Sequence, residues 1–398
     1  MSEEMMMKSL KRNPVRRLSV VATTSMAVVL AACAPGAAEQ DANGANVYSV
    51  VAPLVQSGPG AFAGVPVAQG IELAIAEVNE SDFLGGGSTI EVEFVDTAGD
   101  PAKAIAAYRE AEASGAAGVL CCTLGGEAGA LQPLLSDSTL PGVVTVSILD
   151  GLADPPHLFR PFEVPSAPGG TYDEFLDAVF GGGEYSSAVM VVNNDNDAMV
   201  QDSSIYADGL ERNDVELRGT IEVPVVETSY VGPATQIIDL DPDVVIASTI
   251  GSSTANLAKA LRERGFDRPI VSNVGADSRA AYDASGGAMA GTIFPTPFHA
   301  DYPVNDLGSS FSMAYEAEYG SAPDMFAAQG YTAAWLLATA ILDAGSGDPA
   351  AVGEALSSID EQESVYGRIT YRGGQAEVEE PALHLVWGEA EDLQLLAP

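Results

Sequence analysis

Basic side chains are scarce in this sequence. Its 398 residues include 17 lysines and arginines against 56 aspartates and glutamates, and the net charge at pH 7 is −39. A surface this acidic repels nucleic-acid phosphates and anionic lipid headgroups. The composition therefore argues against nucleic-acid binding and against electrostatic docking to a membrane.

Histidine and cysteine are also rare. His157, His299 and His384 are scattered, and none lies near a cysteine at the spacing of metal ligands. Cys121 and Cys122 are adjacent in an apolar segment, where consecutive strand side chains point to opposite faces and neighbouring α-carbons are closer than in an ordinary disulfide. We therefore expect two buried thiols, no metal site and no cofactor.

The motifs of three common catalytic classes are absent from the sequence. It contains no Gly-x-Ser-x-Gly elbow, no phosphate-binding loop and no His-Glu-x-x-His pair. Asp195 and Asp197 offer acid–base chemistry, but acidic residues are abundant here and a solvated face explains the pair more simply. We predict that the protein is not an enzyme, and we keep catalysis on a two-lobed scaffold as the alternative.

The N-terminal segment indicates where the protein works. Residues 8–17 are rich in basic side chains, residues 18–30 are apolar, and Leu30-Ala31-Ala32-Cys33 follows. This order is typical of a secretory signal, here residues 1–32, whose apolar part is too short to span a membrane. The final tetrapeptide resembles a bacterial lipobox, which implies that Cys33 carries a lipid on a flexible tether over residues 33–46. No later segment suggests a spanning helix, so we predict a lipid anchor alone, at the outer face of the cytoplasmic membrane.

Strands and helices alternate through the rest of the chain. The clearest unit is an apolar strand ending near Cys122, the turn Thr123-Leu124-Gly125-Gly126-Glu127, and a helix with its leucines on one face. Residues 187–285 repeat this plan after a proline-rich interruption at residues 155–170. The pattern predicts an α/β protein of two parallel-sheet lobes, with a ligand cleft beyond the carboxyl ends of the strands.

The turn before the leucine-rich helix is the first candidate binding element. Glycines at positions 125 and 126 let the backbone approach a ligand, and a helix N-terminus offers unpaired N–H groups and a positive dipole end. These groups suit a carboxylate or a carbonyl oxygen. An ordinary turn between a strand and a helix is the simpler alternative.

Short segments in one consistent order also carry a family resemblance. They are Ser57-Gly58-Pro59, Gly70-Ile71-Glu72-Leu73-Ala74, Asp100-Pro101-Ala102-Lys103-Ala104, Leu158-Phe159-Arg160-Pro161, Asp241-Pro242-Asp243-Val244-Val245 and Tyr331-Thr332-Ala333-Ala334. Together with the lipobox they resemble the leucine/isoleucine/valine-binding proteins, which are type I periplasmic solute-binding proteins of ABC transporters.

The resemblance implies the periplasmic-binding-protein type I fold, with two doubly wound lobes closing on a small solute. Lobe one would comprise residues 47–163 plus 296–365, and lobe two residues 164–295 plus 366–398. The protein would be a monomer that captures an amino acid or a related amide or organic acid and delivers it to the permease of an ABC importer. A ligand-sensing receptor subunit is a second interpretation.

The resemblance also implies a ligand-binding set. The family's carboxylate turn corresponds to Leu124, Gly125 and Gly126, and its neighbouring loop to Ser147, Ile148, Leu149 and Asp150. The facing residues of lobe two would be Asp195, Thr249, Ile250 and Asn273. Phe62 and Phe326 match positions where the family places an aromatic ring beside the bound side chain.

Three departures from the family pattern bear on the ligand. Gly125 stands where amino-acid binders usually carry a serine for the carboxylate, Val274 where they carry an acid for the ammonium, and Ala198 where a tyrosine is expected. A buried ammonium without a counter-charge costs several kcal/mol. Unless Asp195, Asp277 or Asp150 reaches the ligand, we expect weak binding of leucine, isoleucine and valine and better binding of a neutral or anionic solute.

Overall fold

The computed structural model describes residues 39–40, 44–167, 170–379, 382–389 and 392–396. The predicted signal segment, Cys33 and most of the predicted tether lie outside these ranges. Within the tether, Glu39 and Gln40 pair antiparallel with Val47 and Asn46, so part of that segment is an edge strand.

The described residues alternate between strands and helices. The strands are β1 (Glu39–Gln40), β2 (Asn46–Leu54), β3 (Thr89–Asp96), β4 (Gly118–Cys121), β5 (Gly142–Val144), β6 (Leu158–Phe159), β7 (Ser187–Asn193), β8 (Glu216–Val223), β9 (Val244–Ser248), β10 (Ile270–Ser272), β11 (Thr292–Thr296), β12 (Gln362–Ser364), β13 (Gly367–Arg372), β14 (Gln375–Val378), β15 (Leu383–Trp387) and β16 (Leu393–Leu395). The helices are α1 (Ala61–Glu80), α2 (Pro101–Ser114), α3 (Gly125–Ser136), α4 (Thr171–Phe180), α5 (Asp197–Arg212), α6 (Val231–Leu240), α7 (Gly251–Arg262), α8 (Arg279–Ser285), α9 (Asp306–Tyr319), α10 (Met325–Ala344) and α11 (Pro349–Ser357).

Two sheets repeat one strand order. The first runs β3-β2-β4-β5-β6 with all five strands parallel, and β1 adds to β2. The second runs β8-β7-β9-β10-β11 in parallel, and β15 and β16 extend it antiparallel. We call these sheets, with the helices packed on them, the first and second lobes. Ligands of such open sheets bind where the strand order reverses, here between β2 and β4 and between β7 and β9.

Local sequence signals account for several element ends. Asp100 caps α2 by accepting a hydrogen bond from the Ala102 N–H at 2.8 Å, and Pro101 is the first helical residue. Gly115 ends the same helix in the left-handed region at φ 74°. Strands β4 and β5 are buried along their whole length, which explains their continuous apolar sequence.

The first lobe is built around the crossing of α1 and α10. A Cβ on Gly70 would lie 2.0 Å from the Ala327 carbonyl oxygen, and one on Gly330 would lie 2.1 Å from that of Val67, so only glycine permits this approach. Both helices are long and apolar enough to cross a membrane, by length and composition alone. This corrects the expectation that no segment after the signal is apolar enough to span one. The apolar window of α10 is, however, 89% buried within the protein.

The two adjacent cysteines are joined to each other. A disulfide bond links Cys121 and Cys122 at the buried end of β4, so the expectation of two thiols is wrong. That expectation assumed an extended strand with alternating side chains, whereas the peptide bond between the two residues is cis.

Candidate functional site

A cavity lies where the carboxyl ends of the two parallel sheets face each other. It encloses about 990 Å³, including the space at its mouth, and both lobes line it. The lobes also touch at its rim. Ser252 Oγ donates to the Pro59 carbonyl oxygen at 3.4 Å, and the Asp150 N–H donates to Gln201 Oε1 at 3.3 Å. The structure is therefore in a closed arrangement around this space.

The turn between β4 and α3 forms one end of the cavity. Glu127 is buried there, with one carboxylate oxygen accepting from the Leu124 N–H at 3.2 Å and the other from the Thr97 hydroxyl. Burial raises the pKa of Glu127, and these hydrogen bonds oppose the shift. Within the described part of the chain, no acceptor pairs with the N–H groups of Gly125 and Gly126. These two N–H groups at the N-terminus of α3 can therefore donate hydrogen bonds to an anionic oxygen.

Arg160 fixes the loop that follows β5. Its side chain is buried, and Nη1 donates to the carbonyl oxygens of Leu149 at 2.7 Å and Ser147 at 3.4 Å. Its Nε donates to Gln375 Oε1 at 2.6 Å. Burial lowers the pKa of Arg160 to about 10, against the opposing effect of Asp150, so the group stays charged at neutral pH. None of the salt bridges among the described residues includes Arg160, although the Asp150 carboxyl acts on it from beyond contact distance. The buried cation adds a positive potential on this side of the cavity.

Two buried asparagines shape the second-lobe face. Asn193 Oδ1 accepts from the Ile250 N–H at 2.9 Å, which holds the turn after β9 against β7. Asn273 accepts from the Gly275 N–H at 2.9 Å and donates to Met199 Sδ at 3.1 Å. Both asparagines are therefore occupied in positioning backbone that lines the cavity.

An aromatic pair closes the apolar side. The rings of Phe62 and Phe326 meet edge to face with centroids 5.6 Å apart. Phe62 also covers the start of α7, because a Cβ on Gly251 would lie 2.9 Å from its ring. The pair thus joins α1 and α10 of the first lobe to the second lobe at one wall of the cavity.

The cavity brings together eight of the thirteen residues predicted to contact the ligand. They are Phe62, Leu124, Gly125, Ser147, Ile148, Ile250, Asn273 and Phe326. The other five do not line it: Gly126, Leu149, Asp150, Asp195 and Thr249. Thr249 is buried and its hydroxyl lies 2.7 Å from that of Thr254, which leaves it a structural role. Ligand contact by these residues stays a prediction.

Three acidic residues were candidates to replace the acid that would pair with a ligand ammonium, and none of them lines the cavity. Asp195 accepts from the Val225 N–H at 2.8 Å, and exposed Asp150 accepts from the Gly151 N–H at 2.9 Å. Buried Asp277 accepts from the Thr296 hydroxyl at 2.5 Å, and burial raises its pKa to about 7. Val274, by contrast, does line the cavity.

Several lining residues were not predicted. Glu163 is half-buried, accepts from the Val378 N–H at 3.4 Å, and has its pKa raised by burial. Gln329 and Tyr366 bring polar atoms to an otherwise apolar wall. A lone glutamine within the apolar sequence of α10 was a usable signal, whereas nothing in the sequence near Glu163 or Tyr366 separates them from other acids and tyrosines. The described residues contain no cluster of three side chains suited to hold a metal ion.

Comparison with known proteins defines the family. A family model described as periplasmic binding protein matches residues 50–388. The chain therefore belongs to the periplasmic binding protein family and has its type I fold. A search of curated proteins finds no matching relative.

Solved structures share this fold at low sequence identity. A leucine-binding protein from Thermotoga maritima is 19% identical with a TM-score of 0.78, covering 88% of this chain and 97% of its own. A branched-chain amino-acid transporter substrate-binding protein from Streptococcus pneumoniae, solved with isoleucine, is 20% identical with a TM-score of 0.78 and covers 89% and 100%. An ABC-transporter solute-binding protein from R. palustris, solved with benzoate, is 20% identical with a TM-score of 0.76 and covers 89% and 96%.

Proposed function

We propose that the protein is an extracytoplasmic receptor that captures a small carboxylate solute by closure of its two lobes and delivers it to an ABC importer. The observation that carries the proposal is the cavity between the lobes, with the α3 amides and the Arg160-anchored loop at one end and apolar side chains around the rest. Membership of the periplasmic binding protein family supports the receptor role. The absence of catalytic motifs from the sequence favours binding over catalysis.

The charges near the cavity favour an anionic ligand over an amino acid. A carboxylate at the α3 turn would meet unpaired N–H groups and lie on the side of the loop that Arg160 holds. An α-ammonium would meet Val274 at the place where the family resemblance implies an acid. We therefore propose an apolar carboxylate without an amino group.

An amino acid is the second candidate, and Glu163 is the observation that favours it. This side chain is the only acid among the described residues that line the cavity, and it could pair with an ammonium. If so, Glu163→Gln would abolish amino-acid binding. If the ligand has no ammonium, the same variant would bind it as well as the wild type does.

We further propose that the mature protein is anchored to the membrane through a lipid on Cys33, after removal of residues 1–32. The sequence Leu30-Ala31-Ala32-Cys33 supports this proposal. Leu124, Gly125, Ser147 and Ile148 would bind the carboxylate, and the remaining lining residues would surround the ligand's apolar body.

The test begins with the protein's own ligand. Mass spectrometry after denaturation would identify any co-purified molecule, and calorimetry would then compare amino acids, their amides and the matching carboxylic acids. Small-angle scattering of ligand-free and saturated protein should show contraction on binding, because the ligand stabilises the state in which both lobes contact it. Chemical turnover of the bound solute, or an unchanged radius of gyration at saturation, would contradict the proposal.

A further inference from the structure

Three buried polar groups near the N-terminal part of α10 are incompletely hydrogen-bonded. Gln329 Oε1 has no hydrogen bond, and the Thr332 and Tyr366 hydroxyls have no partner other than each other. The residues are 3%, 1% and 1% exposed. Buried polar atoms are nearly always paired, so an unpaired group in a cavity wall is a candidate contact for a ligand or a water. We call these residues the α10 polar cluster.

The cluster belongs to the wall of the ligand cavity. Gln329 and Tyr366 line it directly, together with Met325 and Phe326 from the same face of α10. Gln329 lies three residues after Phe326, so it is the next side chain along that face of the helix. Thr332 follows after another three residues, and its hydroxyl is close to that of Tyr366.

The α10 polar cluster comes from other elements than the turn before α3, where we propose that the ligand carboxylate binds. The α3 turn and the loop after β5 contribute amides and Ser147, whereas the cluster comes from α10 and from Tyr366, the second of the two residues between β12 and β13. The Phe62 and Phe326 rings, with Val146, Phe162 and Ile250, supply apolar surface to the same cavity. A ligand that satisfies both polar regions must carry two polar groups on an apolar body.

The chemistry of the cluster selects the second group. An amide side chain can present an oxygen acceptor or a nitrogen donor, and a tyrosine hydroxyl can both donate and accept. A second anionic group on the ligand is disfavoured, because Tyr366 lies in the field of the Asp277 and Asp324 carboxyls. A charge of either sign would also lose its water among the buried apolar residues around Tyr366. A neutral hydroxyl, which donates one hydrogen bond and accepts others, matches the unpaired atoms.

We infer that the ligand is a hydroxylated apolar carboxylate, whose carboxylate binds at the α3 turn and whose hydroxyl binds Gln329 and Tyr366. This inference rests on the proposed function and names the solute class of the same cavity. An analogue without the hydroxyl would leave buried polar atoms of the cavity wall without a partner from the ligand. An analogue with a methyl group in its place would also have to displace any water that pairs with them.

The experiment is calorimetry with matched probes: benzoate, 4-hydroxybenzoate and 4-methylbenzoate, and phenylacetate with 4-hydroxyphenylacetate. We expect the hydroxylated member of at least one pair to bind about tenfold more tightly than its parent, and 4-methylbenzoate to bind no better than benzoate. Tyr366→Phe and Gln329→Leu should each reduce the preference for the hydroxyl, measured within each variant as the ratio of the affinities for the hydroxylated probe and its parent.

Tyr371→Phe is the matched control. Tyr371 is also a buried tyrosine with an unpaired hydroxyl, but it does not line the cavity, so its variant should keep the full preference. Equal binding of the paired probes would overturn the inference and leave the carboxylate receptor intact. A hydroxyl preference that survives both cavity variants would overturn it too. Binding of an amino acid and of none of these probes would overturn the inference and the proposed carboxylate ligand together.

Discussion

Gly125→Ser should tighten binding of the ligand's carboxylate. This position lines the cavity at the first residue of α3, and the sequence lacks there the serine that the family resemblance implies. A Cβ on Gly125 would have its nearest neighbour, Leu149 Cβ, at 4.0 Å. A serine side chain therefore fits without displacing other atoms, and its helix propensity is better than that of glycine.

The magnitude follows from the added hydrogen bond. A hydroxyl that donates to a carboxylate contributes about 1.5–3 kcal/mol, because one partner is charged. Some of this is lost in fixing the serine rotamer, so we expect about a tenfold decrease in Kd. The primary amide of the same ligand should gain less, because a hydrogen bond to a neutral oxygen is about half as strong.

Calorimetry on the tightest-binding carboxylate and on its amide measures both effects. Gly125→Ala controls for the added Cβ and should show no gain. Gly126→Ser places the same hydroxyl one residue further along, where the residue is exposed and outside the cavity wall, and it should also have no effect. A folded Gly125→Ser protein with unchanged carboxylate affinity would refute the placement of the carboxylate at the α3 turn.

Two further predictions concern stability and location. Burial raises the Asp277 pKa from 3.8 to about 7, so this residue contributes stability that is fully present below pH 4 and is lost as the pH rises through about 7. The asparagine of Asp277→Asn cannot ionise, so the urea midpoint of this variant should fall less between pH 5 and pH 8 than that of the wild type. Asp195→Asn, at an exposed position, serves as the control. If the midpoints of Asp277→Asn and the wild type fall in parallel over this range, Asp277 is not the cause. Cys33→Ser should move the protein from the membrane fraction to the soluble fraction, whereas retention on membranes after a salt wash would contradict lipid anchoring through Cys33.

Sequence patterns were sufficient for most of the secondary structure. Asp100 and Pro101 predicted the start of α2, and the apolar spacing in residues 65–79 predicted most of α1, which begins four residues earlier. Both signals are local, because a cap and an amphipathic face involve neighbouring residues only. Helix α4 was missed beside the proline-rich segment, although Tyr172, Phe175 and Val179 have helical spacing. Two-residue strands such as β6 exist only through pairing with a distant strand, and no local pattern identifies them.

The amino-acid sequence by itself determined the two runs of strands and helices and the glycine turn before α3. It also determined that a valine, Val274, stands where the family resemblance implies an acid. Only the tertiary structure decided which side chains face the cavity. Asp195 turns to the Val225 amide and Asp277 to the Thr296 hydroxyl, while Gln329 from a distant helix joins the wall. The direction of a loop side chain depends on hydrogen-bond partners that are distant in sequence, 30 residues for Asp195 and 19 for Asp277, and these partners meet only when the second lobe has folded.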